Sequence, residues 1–215
     1  MPCSRSNNFN ECAIKSGQYA IPFLLNGDRQ LKIPSLNPVK IEFVELTTSN
    51  LNLKLRNVEV YGLDKLKILN VTVDFDKRKV RTITAIDRST ILAQYEMKGR
   101  IILPLTGHGP ANITLYNGVY QYEAEWEFTT RNRNRYLKII DSKYDYTSDK
   151  ITYDFKNLFN GDKVWSTEMN RILNENWMQV NEDLKTPFLE TLLAFQNDIS
   201  TKIFSQIPYD ELFLD

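Results

Sequence analysis

The stretch Val119-Tyr120-Gln121-Tyr122-Glu123-Ala124-Glu125-Trp126-Glu127-Phe128 decides the fold. Tyr120, Tyr122, Ala124, Trp126 and Phe128 share one parity, and Gln121, Glu123, Glu125 and Glu127 share the other. A strand sorts side chains this way because successive Cβ atoms point to opposite faces, whereas a helix of this sequence would scatter both classes around its axis. The same alternation recurs on either side, in Leu51, Leu53 and Leu55; Leu69, Val71, Val73 and Phe75; Ile91, Ala93, Tyr95 and Met97; Ala111, Ile113 and Leu115; and Ile151, Tyr153 and Phe155. The middle of the chain therefore reads as one antiparallel sheet with a single apolar face.

Beyond Asp162 the period changes. Met169, Leu173, Trp177, Val180, Leu184, Phe188, Leu192, Phe195, Ile199 and Ile203 are spaced by threes and fours, which predicts a long amphipathic helix to about Ser205, kinked at Pro187. A shorter helix is expected from Asn10 to Leu25, limited by Pro22 and Gly27, and Ile33-Pro34-Ser35-Leu36-Asn37-Pro38 is an extended connection. About 40 helical residues at 1.5 Å each span roughly 60 Å. A strand run such as Pro110 to Phe128 also spans roughly 60 Å. Matching lengths predict an α+β fold in which a strongly curved antiparallel sheet wraps the C-terminal helix as an axle. Bulky inward aromatics at unequal depths leave room for an elongated cavity or tunnel.

Composition removes whole classes of function. The 215 residues carry 27 Lys and Arg against 27 Asp and Glu, so no basic surplus exists to hold nucleic acid or an anionic membrane. No run approaches a membrane span, and the N-terminus lacks a signal peptide's apolar run, which reads as a mature form. With one histidine, His108, and two cysteines, Cys3 and Cys12, no metal site is expected. His108 sits in Leu105-Thr106-Gly107-His108-Gly109-Pro110, a turn composition, and Gly107-His108-Gly109 lacks the third glycine of a dinucleotide fingerprint, so neither catalysis nor a cofactor is indicated.

Glu123, Glu125 and Glu127 read as the solvent face of a strand, not as glycosidase carboxylates. Arg131-Asn132-Arg133-Asn134-Arg135 reads as a hairpin tip. Cys3 and Cys12 enclose a short loop that would close as a disulfide in an oxidising compartment. Asn70-Val71-Thr72 and Asn112-Ile113-Thr114 are glycosylation sequons on the polar strand face, which favours secretion.

The order of motifs resembles the takeout and haemolymph juvenile-hormone-binding protein family of insects. The resemblance rests on Cys3 with Asn8-Phe9-Asn10-Glu11-Cys12; on Ile33-Pro34-Ser35-Leu36-Asn37-Pro38, where the family usually has Ile-Pro-x-Leu-Asp-Pro; and on Val60-Tyr61-Gly62-Leu63 and Leu103-Pro104-Leu105-Thr106-Gly107. Towards the C-terminus it continues in Leu158-Phe159-Asn160-Gly161-Asp162, Leu173-Asn174-Glu175-Asn176-Trp177 and Ile207-Pro208-Tyr209-Asp210-Glu211-Leu212-Phe213. Such a resemblance implies one domain over residues 1–215, a Cys3–Cys12 disulfide, and a secreted, monomeric, non-enzymatic carrier with a tunnel for a hydrophobic small molecule. The hormone-binding branch typically has a second cysteine pair; its absence places the sequence nearer the takeout-like branch.

The densest inward aromatic face predicts ligand contact from Tyr95, Met97, Tyr120, Tyr122 and Trp126, with Trp177 and Phe195 from the helix. These segments place no Lys, Arg, Asp or Glu at inward parity, so a neutral ligand is expected. The competing reading is an extracellular interaction module with a filled core and a charged sheet exterior.

Overall fold

The computed structural model describes residues 2–5 and 8–214. In chain order its elements are β1 (Cys3–Ser4), α1 (Phe9–Leu25), β2 (Val39–Thr47), β3 (Leu51–Tyr61), β4 (Lys67–Asp74), β5 (Lys79–Arg100), β6 (Pro104–Arg131), β7 (Asn134–Thr147), β8 (Lys150–Phe155), α2 (Lys163–Glu175), α3 (Trp177–Phe204), α4 (Tyr209–Leu212) and β9 (Phe213–Leu214). The main sheet is antiparallel in the order β2-β3-β5-β6-β7, with β4 also paired to β5 and β8 to β6. Length explains this branching. β5 and β6 are 22 and 28 residues long, so each outer edge accommodates two shorter strands end to end.

Register puts the predicted faces where the alternation requires. Val80, Thr82 and Thr84 pair with Ala124, Tyr122 and Tyr120, while Ile91 and Met97 pair with Ile113 and Gly107. Tyr120, Tyr122, Ala124 and Trp126 are buried. On the outer face Glu123 pairs with Lys143 at 2.8 Å and Arg81 at 3.5 Å, Glu127 with Lys138 at 2.7 Å, and Glu125 with Lys79. These are solvent-exposed ion pairs, each stabilising by about 0–1 kcal/mol. Leu69 departs from its expected face. A bulge between Ile68 and Asn70 shifts the phase of β4, and Leu69 is left exposed while Val71 and Val73 turn inward.

Three further expectations need correction. The segment around His108 is part of β6, not a turn. Its glycines answer to close packing: a Cβ on Gly107 would lie 2.6 Å from the Tyr95 hydroxyl. The C-terminal helix breaks at Asn176 (φ −109°, ψ 29°), not at Pro187, which lies within α3. Asn176 has a poor intrinsic helix preference, and its own Nδ2 donates to the Ile172 carbonyl at 2.8 Å, offering the backbone an alternative to the next turn. Pro22 likewise lies inside α1 and does not end it.

α2 and α3 run in one direction along β6. Asn170 and Asn174 meet Phe155 and Tyr153 of β8; further on, Asn197 meets Tyr122, and Arg131 at the end of β6 reaches the Ser205 carbonyl. The fold is thus a long antiparallel sheet packed by one face on a long C-terminal helical segment. The sheet is not strongly curled about that segment. Its outer strands reach α3, β2 on one side and β7 with β8 on the other, and large side chains bridge the gap beneath the central strands, so no tighter curl is needed to bury the apolar face.

The arginine-rich tip is a hairpin turn, with Asn132 and Arg133 at φ 51° and 68°. Its guanidinium groups also hold the C-terminus. Arg135 donates to Asp210 at 2.8 Å and lies over Tyr209 and Phe128, 5.2 and 5.3 Å from their ring centroids.

At the other terminus Cys3 is disulfide-bonded to Cys12, and β1 pairs in parallel with β9, Cys3 opposite Phe213. The bridge therefore ties α1 to a two-stranded clasp that joins both chain ends. Closing a loop of roughly ten residues should stabilise by about 2–3 kcal/mol in the chain-entropy model. Paired Cys3→Ala and Cys12→Ala substitutions are expected to lower the unfolding free energy by about that amount in urea titrations, matching the reduced wild-type protein.

Candidate functional site

Between the apolar face of the sheet and α3 lies a cavity of about 160 Å³. β2 and β3 contribute Val44, Leu46, Leu55 and Val58; β5 and β6 contribute Ile86, Ile91, Leu115 and Tyr120; β7 contributes Tyr144; and α3 contributes Phe188, Leu192 and Phe195. Its polar lining is limited to Thr84, Ser89, Thr191, Gln196 and the two tyrosines, and no lining residue is charged. Ile41, Val44, Thr191 and Phe195 also line a surface groove between β2 and α3, so the cavity approaches solvent there. A second, apolar cavity of about 50 Å³ lies further along β6 among Val80, Ala124, Trp126, Leu137, Phe204 and Phe213.

The side chains expected to contact a ligand divide among three places. Tyr120 and Phe195 line the larger cavity, and Tyr122 and Trp126 line the smaller. Tyr95, Met97 and Trp177 line neither and belong to solid packing. Tyr95 donates to the Lys156 carbonyl at 2.7 Å and meets Phe155 edge-on at 4.9 Å; Met97 is fully buried; Trp177 is half-buried against the main core. The reading from parity gave the correct face but carried no depth along a 28-residue strand.

It also missed Tyr144 and the β2 lining. Tyr144 lies beyond the shift in the β6–β7 register between Ile139 and Asp141, and β2 changes phase after Ile41, leaving Phe43 exposed and Val44 buried. A strict two-residue period fails across such shifts. The one usable signal was the tyrosine alternation Tyr144 and Tyr146, which matches that of the partner strand.

The hydroxyls differ in how they are satisfied. Tyr120 lies 3.3 Å from the Ser89 hydroxyl, its ring folded back over Gly118, where a Cβ would meet it at 2.7 Å. Tyr146 donates to Asn181 of α3 and stacks near Tyr120, with centroids 6.1 Å apart. The Tyr144 hydroxyl has no hydrogen-bond partner among the described residues.

Burial raises the phenol pKa of Tyr120, Tyr144, Tyr146 and Tyr153, and pushes Tyr95 up to about 12. Because the folded values lie above the unfolded value near 10, the folded state holds these protons more tightly. Its full stability is present below pH ~10 and is lost as pH rises beyond it. Tyrosinate absorbance from this buried group should thus rise only above pH ~10, together with loss of near-ultraviolet dichroism. A single wave near pH 10 with the fold intact would contradict this burial.

Among the described residues no group of three or more His, Cys, Asp and Glu is placed to hold a metal ion, and no helix is long and apolar enough to cross a membrane. Asn70 and Asn112 of the two sequons are exposed, whereas Thr114 is buried and bonded to Thr90 and Asn112.

Comparison with known proteins matches residues 1–214 to the family model described as haemolymph juvenile hormone binding protein. The crystal structure of Takeout 1 from Epiphyas postvittana superposes with a TM-score of 0.90 at 24% identity, covering 100% of this chain and 99% of that one. The circadian clock-controlled protein daywake of Drosophila melanogaster is 24% identical over 218 aligned positions, which span 94% of this chain and 83% of that protein. Its Drosophila yakuba counterpart is 21% identical with the same coverage.

Proposed function

This chain belongs to the haemolymph juvenile hormone binding protein family, and from that premise we propose that it is a secreted carrier of a neutral, elongated, apolar small molecule of terpenoid or lipid type. The supporting observation is the uncharged cavity between the sheet and α3. Burial at about 25 cal/mol per Å² of apolar surface drives binding, and a charged ligand would find no partner in that lining. Tyr120 and Phe195 contact the ligand, with Tyr144 offering its hydroxyl to an ether, ester or carbonyl oxygen. Tyr122 and Trp126 line the smaller cavity further along β6. Tyr95, Met97 and Trp177 support the walls.

The disulfide fits an oxidising, extracellular compartment, and Asn70 and Asn112 are accessible for glycan attachment. A cavity comparable to the roughly 150 Å³ dry void that takes up benzene holds only part of an elongated molecule, so the ligand extends towards the β2–α3 groove. Organic extraction of natively secreted protein followed by mass spectrometry tests the reading. A stoichiometric apolar compound is expected; its absence, together with failure to bind any neutral apolar probe, would leave the interaction-module reading in its place.

A further inference from the structure

The two cavities are separated by a layer of polar side chains, unusual inside an apolar interior. Tyr122 of β6 donates to Asn197 Oδ1 of α3 at 2.8 Å, and Asn197 Nδ2 donates to the Ser142 hydroxyl of β7 at 2.8 Å. Beside them Gln196 Nε2 donates to Ser200 at 3.1 Å, and Thr82 of β5 is the register partner of Tyr122. β5, β6, β7 and α3 each contribute a polar residue at this level, while β4 contributes Val71 beside Thr82; the levels on both sides are mainly apolar.

The positions of the cavities along each element agree. On β6 the larger cavity ends at Tyr120 and the smaller begins at Tyr122; on β5 they end at Thr84 and begin at Val80; on α3 they end at Gln196 and begin at Phe204. A core selected for burial alone would carry apolar groups here, since buried polar groups at best recover their desolvation cost. The three-member bridge fixes the Tyr122 ring across the path between β6 and α3.

We propose that the Tyr122–Asn197–Ser142 bridge is a septum that forms the blind end of the binding chamber opposite the β2–α3 groove, and that it sets the maximum length of ligand the protein accepts. This rests on the carrier reading and deepens it. A ligand entering between β2 and α3 advances past Ile91 and Tyr120 until it meets the Tyr122 ring. Crossing would require breaking both hydrogen bonds and displacing the half-buried Asn197 amide from its partners. The septum therefore selects by length, and the smaller cavity is normally unused.

The test is binding of a homologous series of saturated fatty-acid methyl esters, from octanoate to octadecanoate, by displacement of a fluorescent apolar probe. In the parent protein affinity should rise about fourfold per methylene, then stop rising at one chain length. In Tyr122→Ala the rise should continue for about two further methylenes, giving ~15-fold tighter binding of the longest esters. Adding Ala124→Leu, which occupies the smaller cavity, should restore the parent limit. If Tyr122→Ala does not fold, Asn197→Ala is read by the same criterion. An unchanged limit in a folded variant would overturn the septum while leaving the carrier reading standing. Failure of every ester to bind the parent would overturn the carrier reading itself, and the septum with it.

Discussion

Asn170→Ala combined with Asn174→Ala is expected to destabilise the protein by roughly 4–8 kcal/mol, enough to leave a marginally stable domain largely unfolded. Strand β8 is paired to β6 on one edge, and its other edge faces α2. There each asparagine imitates a neighbouring strand. The Phe155 N–H donates to Asn170 Oδ1 and the Asn170 amide donates to the Phe155 carbonyl, both at 2.9 Å. Asn174 repeats the pattern on Tyr153, at 2.9 and 2.7 Å. The spacing works because one helical turn between i and i+4 rises about 6 Å, close to the two-residue repeat of a strand.

Truncation to Ala leaves two backbone groups unpaired at each site, at about 1–2 kcal/mol per group because these bonds are partly buried. The control is Asn176→Ala, because Asn176 is exposed and its side chain bonds only within its own helix; that change should cost under about 1 kcal/mol. Asn174→Asp gives a finer check. An ionised carboxylate accepts from Tyr153 N–H but cannot donate to its carbonyl, so it should lose about half as much as Asn174→Ala at neutral pH and recover part of that loss when protonated. Urea midpoints across the set separate these outcomes. Equal midpoints for the double variant and the parent would mean that α2 does not hold this edge.

These asparagines show where sequence reading stops. Asn174 lies in a segment that carries the family resemblance, yet nothing in the sequence says which strand it faces. The period of two identified the inward residues of β6 on each side of a phase change at Asn117 (φ 51°), with Ala111, Ile113 and Leu115 before it and Tyr120, Tyr122, Ala124 and Trp126 after it. Parity was unreliable where a bulge adds a residue, as at Leu69, and it was silent about depth, so Tyr95 and Trp126 looked equivalent although one lies in solid packing and the other beside a cavity. The helix was legible from its threes and fours. Its break was not, because Pro187 sacrifices one backbone bond inside α3 while the competing side-chain bond of Asn176 leaves no mark in the hydrophobic pattern. The family resemblance implied a long sheet packed on a long C-terminal helix, but the cavity position depends on β2 and β7, whose phase shifts leave no mark in the sequence.

Leu192→Trp is expected to reduce binding of a neutral apolar ligand by about 30–100-fold while the protein stays folded. Leu192 projects from α3 into the larger cavity and is only half-buried, so a larger ring enters the empty space without displacing a filled core. Overpacking of this kind costs about 1–3 kcal/mol of stability, whereas the ligand loses contact for some three methylenes at about 0.8 kcal/mol each. The informative comparison is Ala124→Trp. Inward parity alone makes Ala124 as good a site to block as any, but Ala124 borders the smaller cavity beyond Tyr122. Its substitution should therefore leave short-chain esters binding as in the parent, while Leu192→Trp abolishes most of their affinity. Near-ultraviolet dichroism and melting temperature establish that both variants fold. Loss of binding in Ala124→Trp with retention in Leu192→Trp would move the ligand to the far side of Tyr122, because a molecule seated against Tyr120 and Phe195 cannot be indifferent to a ring placed one helical turn before Phe195 on the same wall.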